Sequence, residues 1–171
     1  MSEYVPIDNI DEEPIFVFKT ANWLELADLK FIPLRDKNTG SYAFLLKWKE
    51  IPDYHLEIDK DGKNFLIFSN VVTNLNDQSL EKVVEFWMRV SSPSLQYSPV
   101  KMVYDPETGN VRAHLHLFWF ELNAELFIRI VKSVAKLMED VANIVDDLEL
   151  PDIWRKTEGE EKNEEKATSN E

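Results

Sequence analysis

Between Asn123 and Leu148 the polar residues Glu125, Arg129, Lys132, Lys136, Asp140, Asn143 and Asp147 recur at spacings of four, three, four, four, three and four. On a helix of about 3.6 residues per turn these positions form one narrow stripe. The spacing therefore predicts a long helix, capped by Asn123, whose remaining circumference from Leu126 and Phe127 through Met138 to Leu148 is apolar and deeply packed. A second, shorter helix is predicted from Asp77 or Ser79 to just before Pro93. It turns Leu80, Val83, Val84, Trp87 and Val90 inward and Glu81, Lys82, Glu85 and Arg89 outward. A third is expected over Ala21 to Leu29, capped by Thr20.

Other segments alternate with a period of two. Tyr54, Leu56 and Ile58 alternate with His55, Glu57 and Asp59, and Asp61-Gly62 then turns the chain into Asn64 to Val72, a hairpin signature. A two-residue loop there sets Ile58 opposite Phe65 and Leu56 opposite Ile67. A second hairpin turns on Asp105 to Asn110 and sets Tyr104 opposite Val111, Met102 opposite Ala113 and Val100 opposite Leu115, three apolar pairs on one face. Tyr42, Phe44, Leu46 and Trp48 alternate as a further strand. Residues 1–19 and Phe31 to Leu34 follow neither period. The element order of helix, three strands, helix, two strands and long helix describes an α+β domain with an antiparallel sheet.

From Arg155 to Glu171 there is no aromatic or large aliphatic residue, and ten of the 17 positions are charged. Such a segment buries too little to offset its ordering entropy, so a disordered tail is expected after a single domain spanning 1–154, with 1–19 an N-terminal extension of unassigned structure. The 171 residues carry a net charge of -13. The tail holds only -2 of it, residues 1–18 hold -5, and 19–154 hold -6. The acidity thus belongs to the leader and the domain surface. It excludes nucleic-acid binding, which needs clustered Lys and Arg, and favours a basic segment as any charged protein partner. Carboxylates gather at Glu139, Asp140, Asp146, Asp147, Glu149 and Asp152, where they are either a solvated surface or a docking patch for such a segment. No stretch is apolar for long enough to span a membrane and the start has no signal-peptide pattern, so a cytoplasmic protein without membrane contact is expected. The absence of cysteine removes disulfides, thiolate metal sites and a cysteine nucleophile, and fits a reducing compartment.

Chemistry motifs are scarce. The glycines at 40, 62, 109 and 159 are isolated, so no phosphate-cradling loop or nucleophile elbow can be written, and no cofactor is implied. Glu57, Asp59, Asp61 and Gly62 have the spacing of a calcium loop, but the position requiring a bidentate Glu is Phe68 and the flanks are strands. His114 and His116 project from one strand face, as metal ligands do, yet Lys101 falls opposite His114, where its ammonium disfavours a cation. The more informative feature is the outer sheet face. There Leu66 and Phe68 share a side with His55 and Glu57, while Phe118 and Phe120 share it with Arg112, His114 and His116. A face mixing large apolar and polar groups is covered or binds something. The N-terminal segment (Ile15 to Phe18, Trp23, Leu24) is one candidate cover, and a dimer or client interface is the other.

The two hairpins, the helix between them and the closing helix, with Lys101 to Val111 entering an aliphatic strand, resemble the type III secretion chaperone-like fold, and within it the bacterial sensory transduction regulator (YbjN-type) family. The resemblance runs from Tyr54 to Leu148. It implies a small acidic protein without enzymatic activity that forms a homodimer and binds an extended segment of a protein partner, and it supplies no catalytic residues. Leu66, Phe68, His114, His116, Phe118 and Phe120 are the partner-binding candidates. The alternative is a metal-dependent enzyme or small-molecule sensor using the face of His114 and His116.

Overall fold

The computed structural model describes residues 3–47, 53–96, 100–118 and 121–154, with 93–96 as backbone alone. Its elements are β1 (Tyr4–Pro6), α1 (Ile15–Leu26), β2 (Phe31–Asp36), β3 (Tyr42–Leu46), β4 (Tyr54–Ile58), β5 (Asn64–Ser69), β6 (Thr73–Asn74), α2 (Leu80–Gln96), β7 (Lys101–Tyr104), β8 (Asn110–Phe118) and α3 (Ala124–Asp147), with a 3-10 turn at Ile10–Glu12. The fold is α+β, and every strand pairing is antiparallel.

The long helix is as the periodicity requires except in its first turn, where Leu126, expected to be packed, is 38% exposed. Asn123 Oδ1 accepts from the Leu126 amide at 2.9 Å, closing the N-terminus. Phe127, Val131, Val134, Leu137, Met138, Val141 and Val145 are buried along α3. Phe127 meets Phe65 of β5 at 5.6 Å and Trp23 of α1 at 5.2 Å, so α3 lies on the sheet and α1 packs beside it.

Both hairpins take the expected register. Ile58 faces Phe65 and Leu56 faces Ile67, while Tyr104 faces Val111 and Met102 faces Ala113. The first loop is wider than a two-residue turn, because the Asp59 amide bonds to the Asn64 carbonyl at 3.3 Å and leaves four residues between them. Gly62 takes φ +67° beneath the Phe16 ring, where a Cβ would come within 2.5 Å of that ring. At the second turn Gly109 has φ +75°, and a Cβ there would meet Asn76 at 2.3 Å. Only glycine combines that left-handed backbone with so close an approach.

Four assignments differ from the sequence expectation. The first helix is Ile15–Leu26 rather than Ala21 to Leu29, with Pro14 and not Thr20 at its N-cap. Its first turns, rich in aromatic and β-branched side chains, have strand-like propensity that burial of Val17, Ala21 and Leu24 overrides. Residues 4–6 and 31–36 add two strands beside β3, giving the sheet order β1-β2-β3-β4-β5-β8-β6 with β7 on the other side of β8. Helix α2 continues past Pro93 to Gln96, although a proline inside a helix removes an amide donor and crowds the preceding turn. On α2, Leu80 and Val84 do not face the core: they are 78% and 48% exposed, and Met88 is 72% exposed.

Strand β6 continues β5 after a bulge. Phe68 pairs with His114 but Thr73 pairs with Val111, so two more residues lie on one strand than on the other. Ser69 Oγ accepts from the Ala113 amide at 2.9 Å, replacing a ladder carbonyl there. The inner face, Tyr42, Phe44, Leu46, Tyr54, Leu56, Ile58, Phe65, Ile67, Val111, Ala113 and Leu115, is buried throughout and forms the core with the helices.

Candidate partner-binding face

Because side chains alternate across a strand, burying one set of positions in the helix layer sends the other set to the opposite face. On β5, Phe65 and Ile67 are buried while Leu66 and Phe68 are half-buried. On β8, Val111, Ala113 and Leu115 are buried while Arg112, His114, His116 and Phe118 are exposed. Register aligns these into cross-strand rows. His55, Phe68, His114 and Lys101 form one row across β4, β5, β8 and β7, and Glu57, Leu66 and His116 form the next. The His55 and Phe68 rings stack at 5.1 Å with 9° between planes, and His116 lies 5.7 Å from Phe118.

The face holds two shallow depressions. One of about 270 Å³ crosses three strands and is lined by Leu66, Phe68, Val103, Asp105, Arg112 and His114. The other, about 200 Å³, lies between Glu57, Asp59, Asn64, Leu66 and His116. The rim carboxylate of Asp105 accepts from the Thr108 hydroxyl at 2.6 Å and the Glu107 amide at 2.9 Å, which hold its pKa below the usual carboxylate range. Toward the other edge, Tyr4 of β1 donates its hydroxyl to Glu57, and burial followed by that contact pushes the phenol pKa well up. Leu34 and Ile32 of β2 continue the same side, Ile32 with 40% exposure.

Leu66, Phe68, His114, His116 and Phe118 therefore share one face, as the alternation predicts, whereas Phe120 lies outside the described residues. The N-terminal helix is not their cover. Val17, Leu24 and Trp23 join the core or pack against it on the helix side, and only strand β1 extends the outer face. His55 stays apart from His114 because β5, with Phe68, runs between them. Among the described residues no group of three His, Cys, Asp or Glu converges as a metal site would require. Val103 and Ile32 were not singled out from sequence, since their membership depends on which strands neighbour β8 and β3.

An antiparallel sheet packed by helices on one side, with its other side open among the described residues, places the chain in the fold class of the type III secretion chaperones. A chain of the HopA1–SchA chaperone–effector complex shares the fold at TM-score 0.51 and 10% identity, covering 74% of this chain and 91% of that one. An uncharacterized protein from Methanothermobacter thermautotrophicus matches at TM-score 0.55 and 15% identity, over 79% and 97%. A chain of the heterodimeric ExoU–SpcU complex from the type III secretion system of Pseudomonas aeruginosa matches at 0.50 and 15%, over 72% and 94%. No protein-family model matches the sequence, and no curated protein matches it. Identities this low establish the shared fold alone. No described helix is long and apolar enough to cross a membrane.

Proposed function

We propose that the protein is a non-enzymatic, chaperone-like or regulatory interaction module of the cytoplasm that binds a protein partner through the outer sheet face. The observation that carries this is the strip formed by Leu66, Phe68, Val103 and Phe118, which no described helix covers and of which Val103 and Phe118 are 43% and 46% exposed. Apolar side chains grouped around a depression and rimmed by polar groups are the usual make-up of a protein contact surface. Two of the solved structures sharing the fold are complexes of two proteins, a chaperone with its effector and a heterodimer, which supports the same function here. Assignment to the sensory transduction regulator branch rests on the element order and the Lys101 to Val111 hairpin. A metal-dependent role for His114 and His116 is less well supported, because their cross-strand neighbours are Phe68, Lys101 and Leu66 rather than further ligands.

The homodimer belongs to a different surface. Leu80, Val84 and Met88 recur every four residues along α2 and are exposed, forming an apolar stripe beside the half-buried Trp87. Two such stripes crossing about a two-fold axis at Val84 would set Leu80 of each copy against Met88 of the other, a self-matching contact of the kind a symmetric dimer needs.

Phe68→Asp tests the sheet-face function by placing a charge in the larger depression without touching the core. The partner co-purifying with the wild-type chain should be lost from the variant while its circular dichroism and melting temperature stay near wild type. Retention of the partner at wild-type yield would sink the proposal.

A further inference from the structure

The outer face carries Glu57 and Asp59 on its β1 to β4 side, and Lys101 and Arg112 together with Asp105 where β7 and β8 meet. Around the larger depression lie Lys101 and Arg112, with His114 and His116 along the same strand edge. The carboxylates nearby keep their charge but are held in place by hydrogen bonds. Asp105 accepts from Thr108 and Glu107, Glu57 accepts from Tyr4, and Asp59 accepts from the Lys63 amide and the Asn64 side chain. Among the described residues neither Lys101 nor Arg112 has a carboxylate within ion-pair distance. Asp105 lies near enough to Arg112 to feel its charge, yet its oxygens point into the turn.

From this charge pattern we infer that the depression between β5 and β7 takes an acidic segment of a partner protein carrying one large apolar anchor. The anchor seats between Leu66, Phe68 and Val103, and the acidic residues beside it meet Lys101 and Arg112. The volume of about 270 Å³ suits a single aromatic or long aliphatic side chain. The overall charge of -13 points instead to a basic partner, but charges are screened beyond roughly 8 Å at physiological ionic strength, so what counts at the groove is Lys101 and Arg112 against the lining carboxylate of Asp105 rather than carboxylates on the far side of the molecule. Arginine and an apolar pocket together supply the anchor and the orientation that make such contacts specific.

The inference rests on the sheet-face function proposed above, and an array of random dodecapeptides probed with the full-length chain separates the two. Peptides retained by the wild type should be enriched in Asp and Glu flanking a Phe, Trp, Leu or Met. The double variant Lys101→Glu, Arg112→Glu should bind those peptides about tenfold more weakly, and wild-type binding should weaken with added salt. Phe68→Asp should abolish the selection. If retained peptides are basic or uncharged yet are still lost with Phe68→Asp, the acidic partner is wrong and the face stands. If neither variant changes the selection, both fall.

Discussion

Tyr54 is fully buried at the centre of the sheet, and among the described residues its hydroxyl meets no hydrogen-bond partner. Burial alone pushes the phenol pKa well up. An unsatisfied buried hydroxyl costs about 1 to 3 kcal/mol in lost hydration, whereas the ring contributes packing whether or not the oxygen is there. Tyr54→Phe should therefore raise stability by about 1 kcal/mol, or about 2 to 4 °C in Tm. A lower Tm would mean that the hydroxyl is satisfied after all. Three turn carboxylates make the opposite kind of contribution. Asp36 is held below the ordinary carboxylate range, chiefly by the Asn38 amide and then by the Thr39 hydroxyl. Asp105 is held down by Thr108 and Glu107, and at Asp59 the Lys63 amide and Asn64 outweigh a burial effect in the other direction. A carboxyl whose pKa is lower folded than unfolded stabilises the fold above the unfolded value, about 4, and loses that contribution as pH falls through the folded value. Urea midpoints should accordingly be flat from about pH 7 to 5 and fall below about pH 4. The fall should be shallower in Asp105→Asn, which keeps an acceptor oxygen in the turn but cannot titrate.

Helices α1 and α3 end in the same way. Asp28 and Glu149 take φ values of 58° and 51°, and the following amides, of Leu29 and Leu150, bond back to Leu24 and Val145 at 3.1 and 3.0 Å. These are left-handed C-terminal caps, where glycine carries no steric cost. At Glu149 the strain is joined by an anion at the negative end of a 24-residue helix. Glu149→Gly should raise Tm by about 2 to 4 °C, roughly 1 kcal/mol, and Glu149→Ala by less, since it removes the charge and keeps the strained backbone. Equal gains from the two would assign the whole effect to charge. Elements of this kind also mark what a sequence discloses. The helix α3 and the two hairpins were readable because their signals are local: a stripe of polar positions, and turns that pin a register. The start of α1 was not, because Ile15, Phe16, Val17 and Phe18 have strand propensity and become helical only through packing. Strand β2 was hidden by Pro33, and β1 by its three-residue length at a sheet edge. Alternation placed Leu66, Phe68, His114, His116 and Phe118 on one face. It could not show that α1 would leave that face uncovered, or that Leu80 and Val84 would turn outward on α2, because periodicity groups residues without saying what lies against them.

The molecule as a whole keeps its two candidate contact surfaces on opposite sides. Helix α2 packs against α3 and turns Phe86 and Val90 into the core, so its exposed stripe of Leu80, Val84 and Met88 lies in the helix layer. The strip of Leu66, Phe68, Val103 and Phe118 lies beyond the sheet, with the buried inner face of β3, β4, β5 and β8 in between. Substitutions on the two should therefore act independently, as sites that share no partners usually do. Met88→Glu, by setting a charge against the opposing copy's Leu80, should shift the light-scattering mass from twice the 20.0 kDa chain to a single chain and leave partner capture intact. Phe68→Asp should lose the partner and keep the dimer mass. Loss of partner capture in Met88→Glu would show that the partner's site is completed by both copies, and a wild-type chain that scatters as a monomer at every concentration would remove α2 as a dimer surface while leaving the sheet face untouched.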